Sequence, residues 1–278
     1  MRLRQVALVA KDLDPTTRRL ARLLGIDYGY HDPGIIGFGL DNWVAAIGDT
    51  FLEVVAPVKD GTTAGRLLDR RGGDGGYMVI LQVPDLEAAK SRIDSAGARI
   101  VWNARGEGEE GELTEGLHIH PRDCGGAILS VDASTPPEAW VWAGPQWQQH
   151  DSSFLSRIMG VEIQSADPEA MARRWSELLG PEVSEGHAPD GRPAWLIDLD
   201  SDTGDAATDR PRNGVIRFVK DENGRGDGVS AFDVEVRDAE AWEAALEQLS
   251  ARVERGEAGN AWFDDAGVRV FFRPPNPR

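Results

Sequence analysis

The sequence is poor in cysteine, in basic residues and in long apolar runs. Its one cysteine, Cys124, excludes an intrachain disulfide and is typical of a reducing compartment. No apolar run approaches the roughly 20 residues that span a bilayer, and no signal peptide is visible. The 30 basic residues stand against 47 acidic ones, and the net charge of −17 argues against a nucleic-acid partner. We therefore expect a cytoplasmic protein that binds neither membranes nor nucleic acids.

An internal repeat is the most informative feature that the sequence does contain. Residues 5–25, 78–97, 160–180 and 231–250 share one pattern, in which a short apolar strand is followed by an aspartate and an amphipathic helix. The aspartate stands where a carboxylate caps the free amides at the start of a helix. These aspartates are Asp12, Asp85, Asp167 and Asp238. Strand-like runs follow every helix, so the sequence predicts four βαβββ modules.

The four modules group into two pairs. The helices of the first and third copies end in Leu-Leu-Gly and the other two do not, which indicates a duplicated two-module unit. We place one domain at residues 1–133, a linker at 134–153 and a degenerate second domain at 154–278, and each domain is long enough to bury a core. The linker contains Trp140, Trp142 and Trp147, which we expect to pack across the interface between the domains.

Two segments connect this repeat to a known group of proteins. They are TFLEVVAP at residues 50–57 and HPRDCGGAILSVD at residues 120–132. Together with the repeat they resemble the vicinal oxygen chelate superfamily, which includes glyoxalase I, extradiol dioxygenases, methylmalonyl-CoA epimerase and bleomycin-resistance proteins. The resemblance covers essentially the whole chain. It implies an α+β fold in which paired modules form two glyoxalase-like domains, whose curved, mostly antiparallel sheets make open cups around a divalent metal.

The resemblance also implies where the metal ligands lie, on the first and last strands of each module. In module one these positions hold Gln5 and Glu53, and in module two they hold Met78 and Ser130, neither a usual ligand. In the second domain they hold Gly160, Arg217, Ala231 and Phe271. We therefore expect no metal in the second domain. The first domain keeps a half-site of the kind that suits Zn, Fe, Ni, Mn or Co.

Two histidines extend the candidate site in the first domain. His118 and His120 are two apart on a predicted strand and face the same side, and His118 is predicted to lie across a hairpin from Ser130. Gln5, Glu53 and His118 form the candidate metal set. The same residues, together with His120, are equally suited to bind a ligand directly as hydrogen-bonding groups, with no metal present.

Glu53 is the candidate catalytic residue. Apolar neighbours on its face of the strand would raise its pKa by desolvation, which suits a base that removes a proton next to a carbonyl. Trp43 and Trp102 are candidates for an aromatic wall that grips a planar ligand.

Two functions remain open at this point. One is a metal-assisted lyase or isomerase that acts on a small carbonyl- or oxygen-containing metabolite in the first cup, with dioxygenase chemistry less favoured because its ligand positions are mostly empty. The other is a metal-free protein that binds or sequesters a small molecule, as bleomycin-resistance proteins do. The fold is compatible with a monomer or a homodimer.

Overall fold

The first half of the chain forms one curled, mixed sheet. The computed structural model describes residues 1–200, 212–249, 253–256 and 259–274. The first sheet contains β1 (Arg2–Val9), β2 (Leu40–Ile47), β3 (Thr50–Pro57), β4 (Gly75–Gln82), β5 (Ile100–Glu107), β6 (Leu113–Ile119) and β7 (Ile128–Thr135). Its strand order is β2-β3-β1-β4-β7-β6-β5.

The second half forms a corresponding sheet of eight strands. They are β8 (Leu155–Ser165), β9 (Val183–His187), β10 (Pro193–Asp198), β11 (Val215–Lys220), β12 (Gly228–Val236), β13 (Glu254–Arg255), β14 (Ala261–Asp265) and β15 (Val268–Arg273). Their order is β13-β14-β15-β12-β8-β11-β10-β9. The two paired-module cups of the predicted α+β fold are confirmed, while the exact domain boundaries at residues 133 and 154 stay predictions.

Each module contributes one main helix. The main helices are α1 (Leu13–Leu24), α3 (Leu86–Ser95), α5 (Pro168–Leu179) and α6 (Ala239–Leu249). The first half adds two further helices, α2 (Thr63–Arg71) and α4 (Pro121–Cys124). Asp85, Asp167 and Asp238 accept hydrogen bonds from backbone amides three residues on, as predicted for helix caps. Asp12 occupies the same position without a capping side-chain bond. No helix in the described ranges is long and apolar enough to cross a membrane.

Strand pairing confirms the alignment of the modules. The first strands of paired modules run antiparallel at the centre of each sheet, and each also pairs in parallel with the last strand of its own module. Each module has one predicted ligand position on its first strand and one on its last strand. In every module the last-strand position pairs with the residue that lies two places after the first-strand position. The pairs are Ala7–Glu53, Ile80–Ser130, Glu162–Arg217 and Asp233–Phe271.

Module one departs from the pattern in one respect. After α1 it has a single bridge between Tyr30 and Val44 and then a 3-10 helix at Pro33–Phe38, where the other modules have a paired strand. Proline cannot donate to a strand ladder, and Gly34 and Gly37 favour compact turns over extended pairing. Ile35 and Phe38 of this short helix line the opening of the first cup, so the helix lies at its rim.

Each sheet divides its side chains between two environments. The helix-covered faces of both sheets share one apolar core, which contains Leu8, Trp43, Val161 and Trp175. The concave face of the first sheet carries a separate apolar cluster, which contains Val9, Phe51 and Tyr77. Because alternate residues on a strand face opposite sides, this division decides which predicted site residues can reach the cup.

A β-bulge recurs at one equivalent position in all four modules. Across the central pairs, each first strand has a residue without an opposite partner at this position: Arg4, Tyr77, Met159 and Ser230. Each of these four immediately precedes the predicted first-strand ligand position of its module. The strand β8 has a second unpaired residue at Ser156. A bulge breaks the strict alternation of side chains, so that two successive residues can face the same side.

Residues 136–150 form a strap that returns over the first cup. The strap contains short 3-10 helices at Val141–Ala143 and Trp147–Gln149, and it contacts β2 on one side and β5 and β6 on the other. Trp140 is 1% exposed and stacks on Phe51 with ring centroids 6.0 Å apart. Trp142 and Trp147 also pack against the cup-side cluster. The prediction that these tryptophans pack between the domains is therefore wrong.

Candidate functional site

The first cup holds a cavity of about 380 Å³ beside the strap. Four of the predicted site residues line it: Gln5, Glu53, Trp102 and His118. Much of the remaining wall is apolar and is formed by Ile35, Phe38, Leu40, Val55, Met78, Ile80, Ala104, Ile128 and Trp142. A largely apolar cavity with a few converging polar groups is typical of a small-molecule site.

Glu53 lies at the polar end of this cavity and is buried. Its Oε1 accepts a hydrogen bond from Asn42 Nδ2 at 2.7 Å, and its Oε2 accepts one from Gln5 Nε2 at 2.9 Å. Burial raises the pKa of the Glu53 carboxyl above its ordinary value, and the two amide donors oppose that rise. The carboxylate is thus held in position while it stays a stronger base than it would be in water.

The two amides that hold Glu53 are themselves fixed in orientation. Trp140 Nε1 donates to Gln5 Oε1 at 2.8 Å, and the backbone N–H of Asp32 donates to Asn42 Oδ1 at 2.9 Å. An indole N–H and a backbone N–H can only donate, so each amide oxygen must face its donor. Both NH₂ groups therefore point at Glu53, whose carboxylate oxygens accept their hydrogens.

This arrangement does not fit the predicted metal set of Gln5, Glu53 and His118. The Gln5 oxygen that would bind a metal faces Trp140, and the Gln5 group that faces Glu53 is the NH₂, which has no lone pair to offer a metal. In the parts of the chain that the structure describes, no group of three or more His, Cys, Asp or Glu side chains is placed to hold a metal ion. The side chains are organised around a carboxylate and not around a cation.

A second buried carboxyl, Asp132, lines the same cavity. It accepts hydrogen bonds from the Ser130 hydroxyl and, at 2.8 Å, from Trp142 Nε1 of the strap. Burial raises its pKa to about 7, against the two hydrogen bonds. Gly116 makes room for it, because a Cβ there would lie 2.6 Å from Asp132 Oδ1. Sequence reasoning missed Asp132, although it lies two residues after Ser130 and so on the same face of β7.

His118 is placed as the sequence predicted. It pairs with Ser130 across the β6–β7 ladder and faces the cavity. Burial lowers the pKa of its imidazole to about 4, so the ring is neutral at pH 7. Within the described residues its ring nitrogens make no hydrogen bond, which leaves them available to a ligand.

The other three aromatic or histidine predictions have different outcomes. Trp43 belongs to the core on the helix-covered face and so does not line the cup, contrary to the prediction. His120 also lies outside the cavity wall, because its Nδ1 accepts the backbone N–H of Arg122 at the start of α4. Trp102 does line the cavity mouth, where it is 48% exposed and meets Phe38 edge-on at 5.1 Å.

The second cup is occupied by its own ion pairs. Arg217 donates to Asp233 at 2.9 Å, and Arg273 approaches the same carboxylate at 3.3 Å. Arg192 donates to Glu162 at 3.0 Å. A guanidinium offers no lone pair to a metal, so the arginine at the predicted last-strand position is a partner for acids.

Two paired-module cups, of which the first carries a largely apolar cavity with a buried carboxylate at one end, define a glyoxalase-like protein of the vicinal oxygen chelate superfamily. The chain belongs to the family described as glyoxalase-like domain, whose sequence pattern matches residues 6–179. The resemblance inferred from the repeat is therefore confirmed.

Named relatives share either part of the sequence or the fold. An ethylmalonyl-CoA/methylmalonyl-CoA epimerase from Cereibacter sphaeroides is 26% identical over 138 residues, which are 47% of this chain and 96% of the epimerase. A hypothetical protein from Staphylococcus aureus has a TM-score of 0.63 at 12% identity, with 98% of both chains covered. A 4-hydroxymandelate synthase mutant from Streptomyces coelicolor has a TM-score of 0.62 at 13% identity, with 99% of this chain and 92% of that one covered. The two structural likenesses show the fold alone.

Proposed function

We propose that the first cup binds a small carbonyl compound and that Glu53 moves a proton on it without a divalent metal. The observation that supports this most directly is the Glu53 carboxylate itself. It is buried beside an otherwise largely apolar cavity, and both of its oxygens are held by amide N–H groups of fixed orientation.

The chemistry follows from the surroundings of the carboxylate. Each carboxylate oxygen has two lone pairs, so an oxygen that accepts one amide hydrogen can still accept a proton. A raised pKa brings the carboxyl closer to neutral pH, where general-base catalysis is most effective. Proton removal from a carbon next to a carbonyl is a step that an epimerase reaction can use, and one relative at 26% identity is named an epimerase.

A binding protein without catalysis is the second candidate. It is favoured by the aromatic mouth of the cavity, where Trp102 and Phe38 are 48% and 49% exposed and positioned to cover a planar ligand. Both candidates use the same cavity, and they differ in whether Glu53 changes its protonation state during the encounter.

Solvent deuterium exchange separates these candidates. The full chain would be incubated in D₂O with methylmalonyl-CoA, phenylacetone or phenylacetaldehyde, with and without EDTA, and loss of the proton next to the carbonyl would be followed by NMR. We expect exchange with at least one of these compounds that EDTA does not change. Glu53→Gln should slow it at least about a hundredfold, the size typical of a lost general base.

The matched control is Glu87→Gln, which changes an exposed carboxyl in the first turn of α3 and should leave exchange unaltered. Exchange that EDTA abolishes would refute metal independence. A compound that raises the melting temperature but never exchanges would favour the binding protein instead.

A further inference from the structure

We infer that the first cup is selective for an uncharged carbonyl compound, whose oxygen is received by the Tyr77 hydroxyl in the cavity that His118 also lines. This inference rests on the proposed function, because it names the substrate class of the same cavity. Three observations carry it: the bulge that turns Tyr77 inwards, the lack of a partner for its hydroxyl, and the distribution of charge around the cavity.

The bulge in β4 is the reason that Tyr77 reaches the cavity. Ala7 pairs with Met78 and Leu8 pairs with Gly76, so Tyr77 is the extra residue between them. In a regular strand Tyr77 and Met78 would face opposite sides. Here both belong to the cup-side cluster and both line the cavity. Bulges often redirect a side chain next to an active site in this way.

The Tyr77 hydroxyl has no hydrogen-bond partner within the described residues. The neighbouring polar groups contrast with it, because Gln5, Asn42, Glu53 and Asp132 are all hydrogen-bonded within the protein. Tyr77 as a whole is only 7% exposed, while its hydroxyl keeps contact with the open space of the cavity. A free donor that faces a cavity points to an acceptor atom on a ligand.

Tyr77 also remains a donor throughout the neutral range. Burial raises its pKa to about 12, and the nearby negative charge of Glu53 adds to that rise. The neutral imidazole of His118, which has one N–H, is a further uncharged group on the cavity wall. An oxygen that gains negative charge beside Tyr77 would therefore meet a neutral donor. Arg66, which is hydrogen-bonded to Gly61 and Thr63, is the cation whose charge acts on that hydroxyl, and it does not line the cavity.

The charges around the cavity disfavour an anionic ligand. Glu53, Asp132 and Asp32 line it, whereas Arg105 is the one lysine or arginine among the described lining residues. Arg105 is bound by exposed acids on β5 and β6, at 3.0 and 2.8 Å. A ligand carboxylate would thus lose hydration next to like charges without gaining a free cation among the described residues of the cavity wall.

The reaction step balances with these groups alone. The Glu53 carboxylate takes a proton from the carbon next to the carbonyl, and the C–H electron pair moves to make the C=C bond of an enolate. The C=O π pair moves to the oxygen, which accepts a hydrogen bond from Tyr77 while Tyr77 keeps its proton. Return of a proton from Glu53 to the carbon regenerates the carbonyl, and no oxidant or reductant is needed.

A pair of ligands with the same ring tests the charge and the donor together. 2-Acetylnaphthalene is an uncharged aryl ketone, and 2-naphthoate is the carboxylate of the same ring system. Their affinities for the full chain would be measured at pH 7.5 by calorimetry, supported by quenching of tryptophan fluorescence. We expect the ketone to bind at least tenfold more tightly than the carboxylate. Tyr77→Phe should weaken the ketone about tenfold, as for one lost hydrogen bond, and leave the carboxylate unaltered.

The control is Tyr28→Phe, since Tyr28 stacks on His150 outside the cavity and should not alter either affinity. Tighter binding of 2-naphthoate, equal ketone affinity in Tyr77→Phe and wild type, or no binding of the ketone would each overturn the inference. Because the readout is binding, it is independent of turnover. Ketone binding that needs Tyr77 but shows no deuterium exchange would refute the proposed catalysis and retain the ligand class.

Discussion

Asp132→Asn should change how the stability of the protein depends on pH. In the folded chain burial raises the pKa of this carboxyl from the ordinary 3.8 to about 7. Between those values the folded state binds more protons than the unfolded state, so the free energy of unfolding falls as the pH rises. A difference of about three pH units corresponds to ~4 kcal/mol in total. Asparagine has no such charge and removes this dependence.

The geometry indicates that asparagine can replace Asp132 without a new conflict. Trp142 Nε1 can only donate, so the amide oxygen of the asparagine would face it. The amide NH₂ would then face Ser130, whose hydroxyl can rotate and accept. The substitution should therefore test the charge of Asp132 with little change in shape.

Urea unfolding of wild type and Asp132→Asn at pH 5.5, 7.0 and 8.5 measures this effect while avoiding the acidic range where the protein's net charge is small. Relative to wild type, the variant should gain ~2 kcal/mol between pH 5.5 and 8.5, because part of the full difference falls below that range. Subtracting the wild-type curve cancels the other titrating groups. A difference in stability that stays constant from pH 5.5 to 8.5 would show that Asp132 is ionised throughout and would refute the assignment.

Two further substitutions test the packing of the cups. Arg217→Met should lower the free energy of unfolding by about 3–5 kcal/mol in urea titrations, because it leaves Asp233 buried without its main partner, and adding Asp233→Leu should recover much of the loss. An additive double variant would contradict this account. Gly116→Ala should cost about 1–3 kcal/mol by overpacking against Asp132, and an unchanged melting temperature would show that the carboxyl moves aside freely.

The repeat made most of the fold predictable from sequence. The strand-aspartate-helix pattern recurs because each helix needs a cap and an apolar face, and these needs are local. Three of the four aspartates do cap their helices, and the last-strand partners identified by alignment, including Ser130 and Arg217, lie at the expected register. The alternation of strand residues likewise placed Glu53 and His118 in one cup.

The remainder of the site depends on contacts between residues far apart in the chain. Trp43 and Trp102 are both tryptophans on strands, and only the register shows that the first packs under the helices. The bulge that turns Tyr77 inwards is a property of the pairing between two strands and has no signature in either one alone. The strap was assigned to the domain interface because nothing in its local sequence shows that its indoles reach Gln5 and Asp132.

The two cups bury acidic residues with different partners, which are neutral amides in the first cup and arginines in the second. In the first cup the acid lies on the last strand at Glu53, across from the small Ala7, and neutral amides hold it. In the second cup Glu162 occupies the position of Ala7, and Arg217 replaces the glutamate on the last strand. A guanidinium neutralises the second set of acids within the protein, whereas amide donors leave the charge of Glu53 in place. The first cup therefore retains an acceptor that a ligand proton can use, and this difference in partner is the physical reason to seek chemistry there.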